Sequence, residues 1–312
     1  MKKTVLISGC CGFLGSHLCD FFLKKKFKVI GIDNLLTGVI ENIEDIESNL
    51  DFKFINHDVL NYFKIKDRID YILHFASPAS PVDYIKYPIE TLRIGSIGTE
   101  NLLKLAKEKK ATILVASTSE VYGDPLKHPQ KENYFGNVNP VGPRGVYDEA
   151  KRYLEAITMA YNKKFNLDTK IVRIFNTYGS KMRINDGRAI PNFINQALQN
   201  KNFTVYGNGL QTRSFTYVDD TIEGIYKLML SKFSEPFNIG NPSEYTIIEL
   251  INTIKNIIPC QSHIEYFELP ENDPKVRRPD ISKARNKLGW EAKTNLKNGL
   301  IKTINYFRDN KK

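Results

Sequence analysis

The chain carries little material for a metal centre or a disulfide scaffold. Its 312 residues include four cysteines and five histidines. Cys10, Cys11, Cys19 and Cys260 form no Cys-x-x-Cys pair, so no metal site and no disulfide framework is expected. Reduced thiols in a cytoplasmic protein are the simpler reading. No window approaches the ~18 uninterrupted apolar residues that a membrane span requires. A secretory leader is not expected either. The apolar stretch behind Met1-Lys2-Lys3 is broken by Ser8, Gly9, Gly12, Gly15, Ser16 and His17 and lacks a convincing cleavage site. Acidic residues are the scarcer charge, 35 against 45 Lys and Arg, which leaves a formal net charge of +10. The excess sits in short runs such as Lys24–Lys26, Lys109-Lys110 and Lys163-Lys164, near the ends of apparent helices. Cations there are solvated and favoured by the helix dipole. Neither a nucleic-acid partner nor a membrane partner follows from them.

What is present is an ordinary globular composition, 41% hydrophobic and 26% charged. In the first half, short β-branched runs alternate with longer helical patterns, the mark of βαβ units and a parallel sheet. Strands are expected at Thr4–Ser8, Lys28–Asp33, Phe52–Ile55, Tyr71–Phe75, Thr112–Ala116 and Lys170–Phe175. Helices are expected at Leu14–Lys24, Pro88–Lys109 and from Tyr147 to about Phe165, where Ala150, Leu154, Ile157 and Tyr161 recur on one face. Beyond Asn176 shorter helices, at Ala189–Gln199, Asp219–Leu230 and Thr246–Ile258, alternate with loops rich in Gly, Asn and Pro. The expected architecture is a Rossmann-like, doubly wound parallel sheet over residues 1–175. A smaller mixed α/β substrate-binding region at the C-terminus, 176–312, is interleaved with it.

Gly9, Gly12 and Gly15 follow the first strand and open the first helix, with Phe13 and Leu14 between the last two. Glycine permits the close backbone approach that a diphosphate demands, and the helix N-terminus offers that anion unpaired N–H groups. The second strand ends at Asp33, eighteen residues after Gly15. A carboxylate there accepts hydrogen bonds from an adenosine ribose and repels a 2′-phosphate, which favours NAD over NADP.

Tyr147 and Lys151 stand four residues apart, on one helix face. A free phenol, with pKa ~10, is almost wholly protonated at neutral pH. A neighbouring ammonium and the positive nicotinamide ring favour the phenolate and make the tyrosine a general base towards a sugar hydroxyl. The spacing alone is not specific, since Tyr62 and Lys66 share it. Position distinguishes the pair: the strand Thr112–Ala116 runs into Ser117-Thr118-Ser119-Glu120 before that helix begins. Strand ends face the ligand crevice of open α/β sheets, so Thr118, Ser119 and Glu120 are expected to point towards Tyr147.

These residues resemble the extended short-chain dehydrogenase/reductase family, and within it the branch that decarboxylates UDP-glucuronate to UDP-xylose. The resemblance runs from the Gly9 loop to about Trp290. Its motifs include Ile55-Asn56-His57-Asp58-Val59, Ala76-Ser77-Pro78-Ala79-Ser80-Pro81, Tyr147-Asp148-Glu149-Ala150-Lys151-Arg152 and Arg173-Ile174-Phe175-Asn176-Thr177-Tyr178-Gly179. Asn185-Asp186-Gly187-Arg188, Thr204-Val205-Tyr206-Gly207, Gln211-Thr212-Arg213 and Asp273-Pro274-Lys275-Val276-Arg277-Arg278-Pro279-Asp280 extend it. Two features depart from the family pattern: Ser8 replaces a threonine, and Cys10 and Cys11 replace small residues.

The resemblance implies NAD as cofactor, with Asp33, Asn34, Thr37 and Gly38 at its adenosine end and Asp58 and Val59 at the adenine. Phe75, Ala76 and Ser77 would pass beneath its nicotinamide half, with Thr177 also on the cofactor. Tyr147 would accept the proton, with Lys151 and Thr118 beside it. Arg93, Ser119, Asn176, Arg188, Tyr206, Gln211 and Arg213 would hold the UDP-sugar, and Arg277 would face its carboxylate. Glu120 is the candidate for managing protons near C5. The alternatives are a nucleotide-sugar 4,6-dehydratase and a 4-epimerase. Dehydratases place an aspartate where this chain has Ser119, a poor proton donor, and an epimerase has no evident use for Glu120 with Arg277. A silent nucleotide-binding protein of the same fold is disfavoured by the intact Thr118, Tyr147 and Lys151. A homodimer through Pro88–Lys109 and Tyr147–Phe165, and a cytoplasmic location, complete the expectation.

Overall fold

The computed structural model describes residues 2–268 and 276–309. Asp273, Pro274 and Lys275, part of the last motif quoted above, lie outside the described residues.

Seven strands form one parallel sheet: β1 (Thr4–Ser8), β2 (Lys28–Asp33), β3 (Phe52–Asn56), β4 (Tyr71–His74), β5 (Thr112–Thr118), β6 (Thr169–Ile174) and β7 (Phe237–Ile239). Their order across the sheet is β7-β6-β5-β4-β1-β2-β3. Parallel strands need crossovers that cover both faces, so even polar residues on them are buried. Every residue of β1 is buried accordingly. The chain winds outward in one direction from β1 and in the other from β4. The strand ends between those two are the reversal point where ligands bind in such sheets.

Two long helical runs pack beside β4 and β5. The first is Pro88–Arg93, a π-helical segment Ile94–Gly98, and then α2 (Thr99–Lys109); α1 is Phe13–Lys24. The expected single helix over 88–109 is therefore continuous but locally widened. Gly95 lies in the widened part, where a Cβ would come within 2.7 Å of the Ala150 carbonyl oxygen. Ala150 belongs to α3 (Gly145–Phe165), so the π segment marks the closest approach of the two runs.

Three expectations shift in ways that matter for the site. β5 continues to Thr118, and Ser119–Tyr122 form a 3-10 turn, so Thr118 is the last strand residue and Glu120 sits on the turn. α3 starts at Gly145, which puts Tyr147 inside its first turn. β7 comes from the second half of the chain and pairs with β6. Accordingly one apolar core runs from Val5 on β1 to Phe307 near the C-terminus. Smaller sheets complete the second half: Thr177–Tyr178 with Thr216–Tyr217, Phe203–Tyr206 with Ile264–Phe267, and a three-stranded group of Glu244–Thr246, Thr212–Ser214 and Val276–Arg277.

A polar network fixes the 3-10 turn from behind. Arg173 on β6 donates from Nε and Nη2 to the Glu155 carboxylate at 2.8 and 2.7 Å. The same arginine donates to the Tyr122 hydroxyl at 2.9 Å, and Tyr122 donates to Asn238 on β7 at 2.8 Å. Ser117 also donates to Glu155, at 2.6 Å. Buried polar groups are costly unless paired in this way.

Because the Gly95 contact is backbone against backbone, Gly95→Ala has no side chain to push aside. Overpacking of this kind costs about 1–3 kcal/mol. The expected result is a Tm lowered by several degrees in thermal unfolding; an unchanged Tm would show that the two runs separate freely.

Candidate active site

The glycine loop after β1 forms the floor of a cleft at the reversal point. Gly9 has φ +76°, and a Cβ there would meet Ala76 N at 2.7 Å. At Gly15 a Cβ would lie 1.9 Å from the Gly9 oxygen, so only glycine lets α1 start this close to the loop. The first turn of α1 has no side-chain cap, which leaves its N–H groups for an anion, with Phe13 and Leu14 half-buried there. Gly9, Gly12, Asp33, Asn34, Thr37, Gly38, Asp58, Val59, Phe75, Ala76 and Ser77 all line this cleft, together with Leu36, His57, Pro78 and Ile94, which the sequence did not single out.

Asp33 accepts from Cys11 N at Oδ2 and from Leu35 N at Oδ1, both at 2.9 Å. Burial raises its carboxyl above the usual range, and these backbone donors work against that. Each oxygen retains acceptor capacity for a ribose. Asn34 donates to Asp58 at 3.1 Å, joining the two residues expected around the adenosine. The donor set and the glycine cradle fit a dinucleotide. The buried Thr177 hydroxyl donates to Phe175 O at 3.1 Å and lies 3.0 Å from Thr221 Oγ1.

Tyr147, Thr118 and Lys151 come together at the end of β5. The Thr118 hydroxyl is near enough to the Tyr147 phenol to lower its pKa. Lys151 donates from Nζ to Ala116 O at 3.0 Å, and the same nitrogen lies 5.6 Å from the Tyr147 ring centre. Tyr84 stacks on Tyr147, with ring centres 5.1 Å apart and 14° between planes. The electrostatics differ from the sequence-based expectation. Burial, followed by the Glu120 charge, pushes the Tyr147 phenol well above its ordinary value, while Thr118 and Arg188 pull it down. Lys151 is itself desolvated, and burial lowers it to about 8. In the protein alone, burial outweighs the groups that favour the phenolate.

Glu120 sits between two arginines. Arg277 grips both carboxylate oxygens, with Nη2 at 2.8 Å from Oε2, and Arg144 donates to Oε2 at 2.6 Å. Burial alone would raise Glu120, but Arg277 and Arg144 hold it at about 2. A carboxylate so firmly ionised does not store a proton near neutral pH. Arg144, unmarked in the sequence reading, precedes Gly145 at the start of α3. Its proximity to Glu120 is a tertiary fact without a spacing signal.

The second half contributes a contiguous set. Arg277 pairs in register with Arg213 across the three-stranded group. Gln211 donates to Tyr206 O at 2.7 Å, and the Tyr206 ring is exposed. Arg188 makes a two-point contact with Asp186, including Nη2 to Oδ2 at 2.7 Å. Ser119 is buried on the 3-10 turn, Asn176 is half-buried after β6, and Arg93 is exposed beside the cleft residue Ile94.

A doubly wound parallel sheet with a tyrosine–lysine helix against its carboxyl edge is the layout of the extended short-chain dehydrogenase/reductases, and this chain belongs to that family. The matching family model is described as GDP-mannose 4,6 dehydratase and covers residues 6–303. The chain is 49% identical over 306 residues to UDP-glucuronic acid decarboxylase 1 of Danio rerio, spanning 98% of this chain and 73% of that one. It is 48% identical over 300 residues to UDP-glucuronic acid decarboxylase 3 of Arabidopsis thaliana, spanning 96% and 87%. A solved UDP-glucuronic acid 4-epimerase from Bacillus cereus, in complex with UDP-glucuronic acid and NAD, is similar at a TM-score of 0.89 and 30% identity, covering 98% of this chain and 99% of that one.

Cys10, Cys11 and Cys19 are buried, whereas Cys260 is partly accessible. The Cys10 thiol is pushed far up by its contact with Cys11 and by burial, and burial does the same to Cys19. Thiolate is the reactive form. A thiol reagent on the native protein should therefore modify Cys260 first, with the other three reacting only on unfolding. Peptide mass analysis that finds Cys10 or Cys11 modified first would contradict this account of the loop.

Proposed function

We propose that the chain is an NAD-dependent decarboxylase that converts UDP-glucuronate to UDP-xylose and carbon dioxide through a 4-keto sugar. The observation that carries this reading is a buried arginine, Arg277, already holding the Glu120 carboxylate on the turn after Thr118, beside the helix start that carries Tyr147. A sugar acid bound there would present its own carboxylate to Arg277 while its 4-hydroxyl faces Tyr147. The near half-identity to proteins named UDP-glucuronic acid decarboxylase supports the choice of substrate. The dehydratase alternative needs an acid beside its leaving hydroxyl, and Ser119 offers none. An arginine facing a carboxylate would serve a hexuronate 4-epimerase equally well, and the higher identity to the decarboxylases, 49% against 30%, favours decarboxylation.

Bound NAD would supply the acceptor that takes the C4 hydrogen and returns it at the end of the cycle. The glycine cradle, the α1 N-terminus and Asp33 would hold it. Tyr147 removes the proton of the 4-hydroxyl, and Lys151, cationic below about 8, stabilises the phenolate. Thr118 donates to the C4 oxygen, where negative charge develops. With a ketone at C4 the substrate is a β-keto acid. Its C5–C6 bond breaks, carbon dioxide leaves, and the electron pair enters the enolate. Tyr147 later returns its proton to the C4 oxygen.

The assembly proposed is a cytoplasmic homodimer. Ile89, Leu92 and Ile97 on the 88–109 run, and Tyr153 on α3, expose apolar surface along the two neighbouring helical runs. Two copies of that surface would close into a four-helix contact. Leu92→Asp should then shift sedimentation from dimer to monomer, and wild-type protein that sediments as a monomer contradicts the assembly.

The central test is product identity. Purified protein given UDP-glucuronate and NAD should release carbon dioxide and UDP-pentose without net NADH. Tyr147→Phe should lower turnover at least ~100-fold while NAD still binds, the scale of a positioned acid–base group. A variant with near-normal turnover removes Tyr147 from the chemistry. A wild-type protein that yields a UDP-hexuronate epimer or a dehydrated sugar overturns the reaction assigned.

A further inference from the structure

Decarboxylation of a carboxylate consumes a proton. The R–COO⁻ group becomes R–H and carbon dioxide, so one proton must be brought from solvent to C5 in every turnover. The groups already assigned do not bring it. Tyr147 takes a proton from the 4-hydroxyl and gives the same one back. Glu120 is clamped as a carboxylate by Arg277 and Arg144. The question is which group near the reacting carbons takes a proton from water and holds it at neutral pH.

Beside Glu120 lies a cavity of about 190 Å³, with room for several water molecules. Glu120, Arg144 and Asp148 form its inner wall, and Asp124, Asn137 and Asn139 its outer one. It is separate from the dinucleotide cleft, with which it shares no lining residue. Asp148 is buried, and its Oδ1 has no hydrogen-bond partner among the described residues. An unpaired buried carboxylate is heavily penalised, whereas a carboxylic acid beside water is not. The residue follows Tyr147 on α3, so it is tied to the catalytic turn by one peptide bond.

We propose that Asp148 is the proton-carrying group of this chamber: it takes a proton from solvent and delivers it, through water beside Glu120, to the C5 carbanion left by decarboxylation. This rests on the decarboxylase reading above. In the step, the O–H bond of the Asp148 carboxyl breaks as that proton passes to water. The water's own proton forms the new C5–H bond with the enolate electron pair. Asp148 is left as a carboxylate and is recharged from the chamber.

The electrostatics agree with that task. Burial, then the Glu120 charge, raise Asp148 to about 7, and Arg144 and Arg277 pull it down. Glu149 on its own helix also raises it. Tyr84, stacked on Tyr147, also senses Asp148, and Asp124 lines the same chamber. Asp148 is thus mainly protonated below pH 7 and mainly ionised above it, the reverse of Glu120, which is ionised throughout. Proton delivery should weaken as pH rises through that value.

The test follows the reaction after carbon dioxide has left. Wild-type enzyme in a single turnover with UDP-glucuronate should hold its 4-keto species and reduced cofactor longer at pH 8 than at pH 6. Asp148→Asn cannot carry the proton. It should release carbon dioxide but form UDP-xylose about 10–100-fold more slowly, accumulate reduced cofactor, and lose the pH dependence of that phase. Asp148→Glu should restore part of the rate. NAD affinity checks the fold of each variant, and the wild-type measurement stands if a variant does not fold. The inference is overturned if the lifetime of the reduced cofactor does not change with pH in wild type, or if Asp148→Asn matches wild type. A wild-type enzyme that releases no carbon dioxide from UDP-glucuronate overturns the decarboxylase reading itself, a distinguishable outcome.

Discussion

The site depends on one tie: the Lys151 ammonium donates to the carbonyl of Ala116, two residues before β5 ends. That bond joins the helix carrying Tyr147 to the strand carrying Thr118, and through the following turn to Glu120. Both partners are buried, so the charge has no water to fall back on and the geometry is held by the cost of breaking it. The same burial lowers the lysine to about 8 and drives the tyrosine up. Position and reactivity are therefore coupled. A lysine moved outward would be a better point charge and a poorer anchor.

Around that tie, desolvation sorts ionisable groups into opposite states within a short distance. Glu120 meets two arginines and stays ionised. Asp148 shares some of the same neighbours, has no donor on Oδ1 among the described residues, and lies near neutrality of its titration. Two carboxyls separated in this way can serve as a fixed anion and as a proton carrier. Arg277 grips Glu120 and also lowers Asp148. It reaches the turn from a short strand in the second half of the chain, in register with Arg213. The substrate side of the site is consequently assembled by tertiary folding rather than by any local motif.

That division explains what was legible in the sequence. The glycine loop, Asp33 and the Tyr147–Lys151 pair, the last read together with the strand that precedes it, are local patterns, and the parallel sheet follows from strand–helix alternation. Strand ends drifted by one or two residues, because β5 remains extended until Thr118 starts the 3-10 turn. The strand β7 was missed because Phe237–Ile239 is a three-residue run with no periodicity to read. Arg144, Tyr84 and the Asp148 chamber were missed for a related reason. Their meaning lies in what Glu120 and Tyr147 touch, which no spacing along the chain records.

The account reduces to a claim about C4: a carboxylate at C6 can leave only after Tyr147 has enabled oxidation of the neighbouring alcohol carbon's 4-hydroxyl. A single-turnover experiment with UDP-glucuronate carrying deuterium at C4 tests this most directly, following reduced nicotinamide and carbon dioxide together. The account predicts that deuterium slows both signals, that reduced cofactor appears before carbon dioxide, and that the deuterium returns to C4 of the UDP-pentose. Carbon dioxide released at an unchanged rate, with no reduced cofactor preceding it, would contradict it.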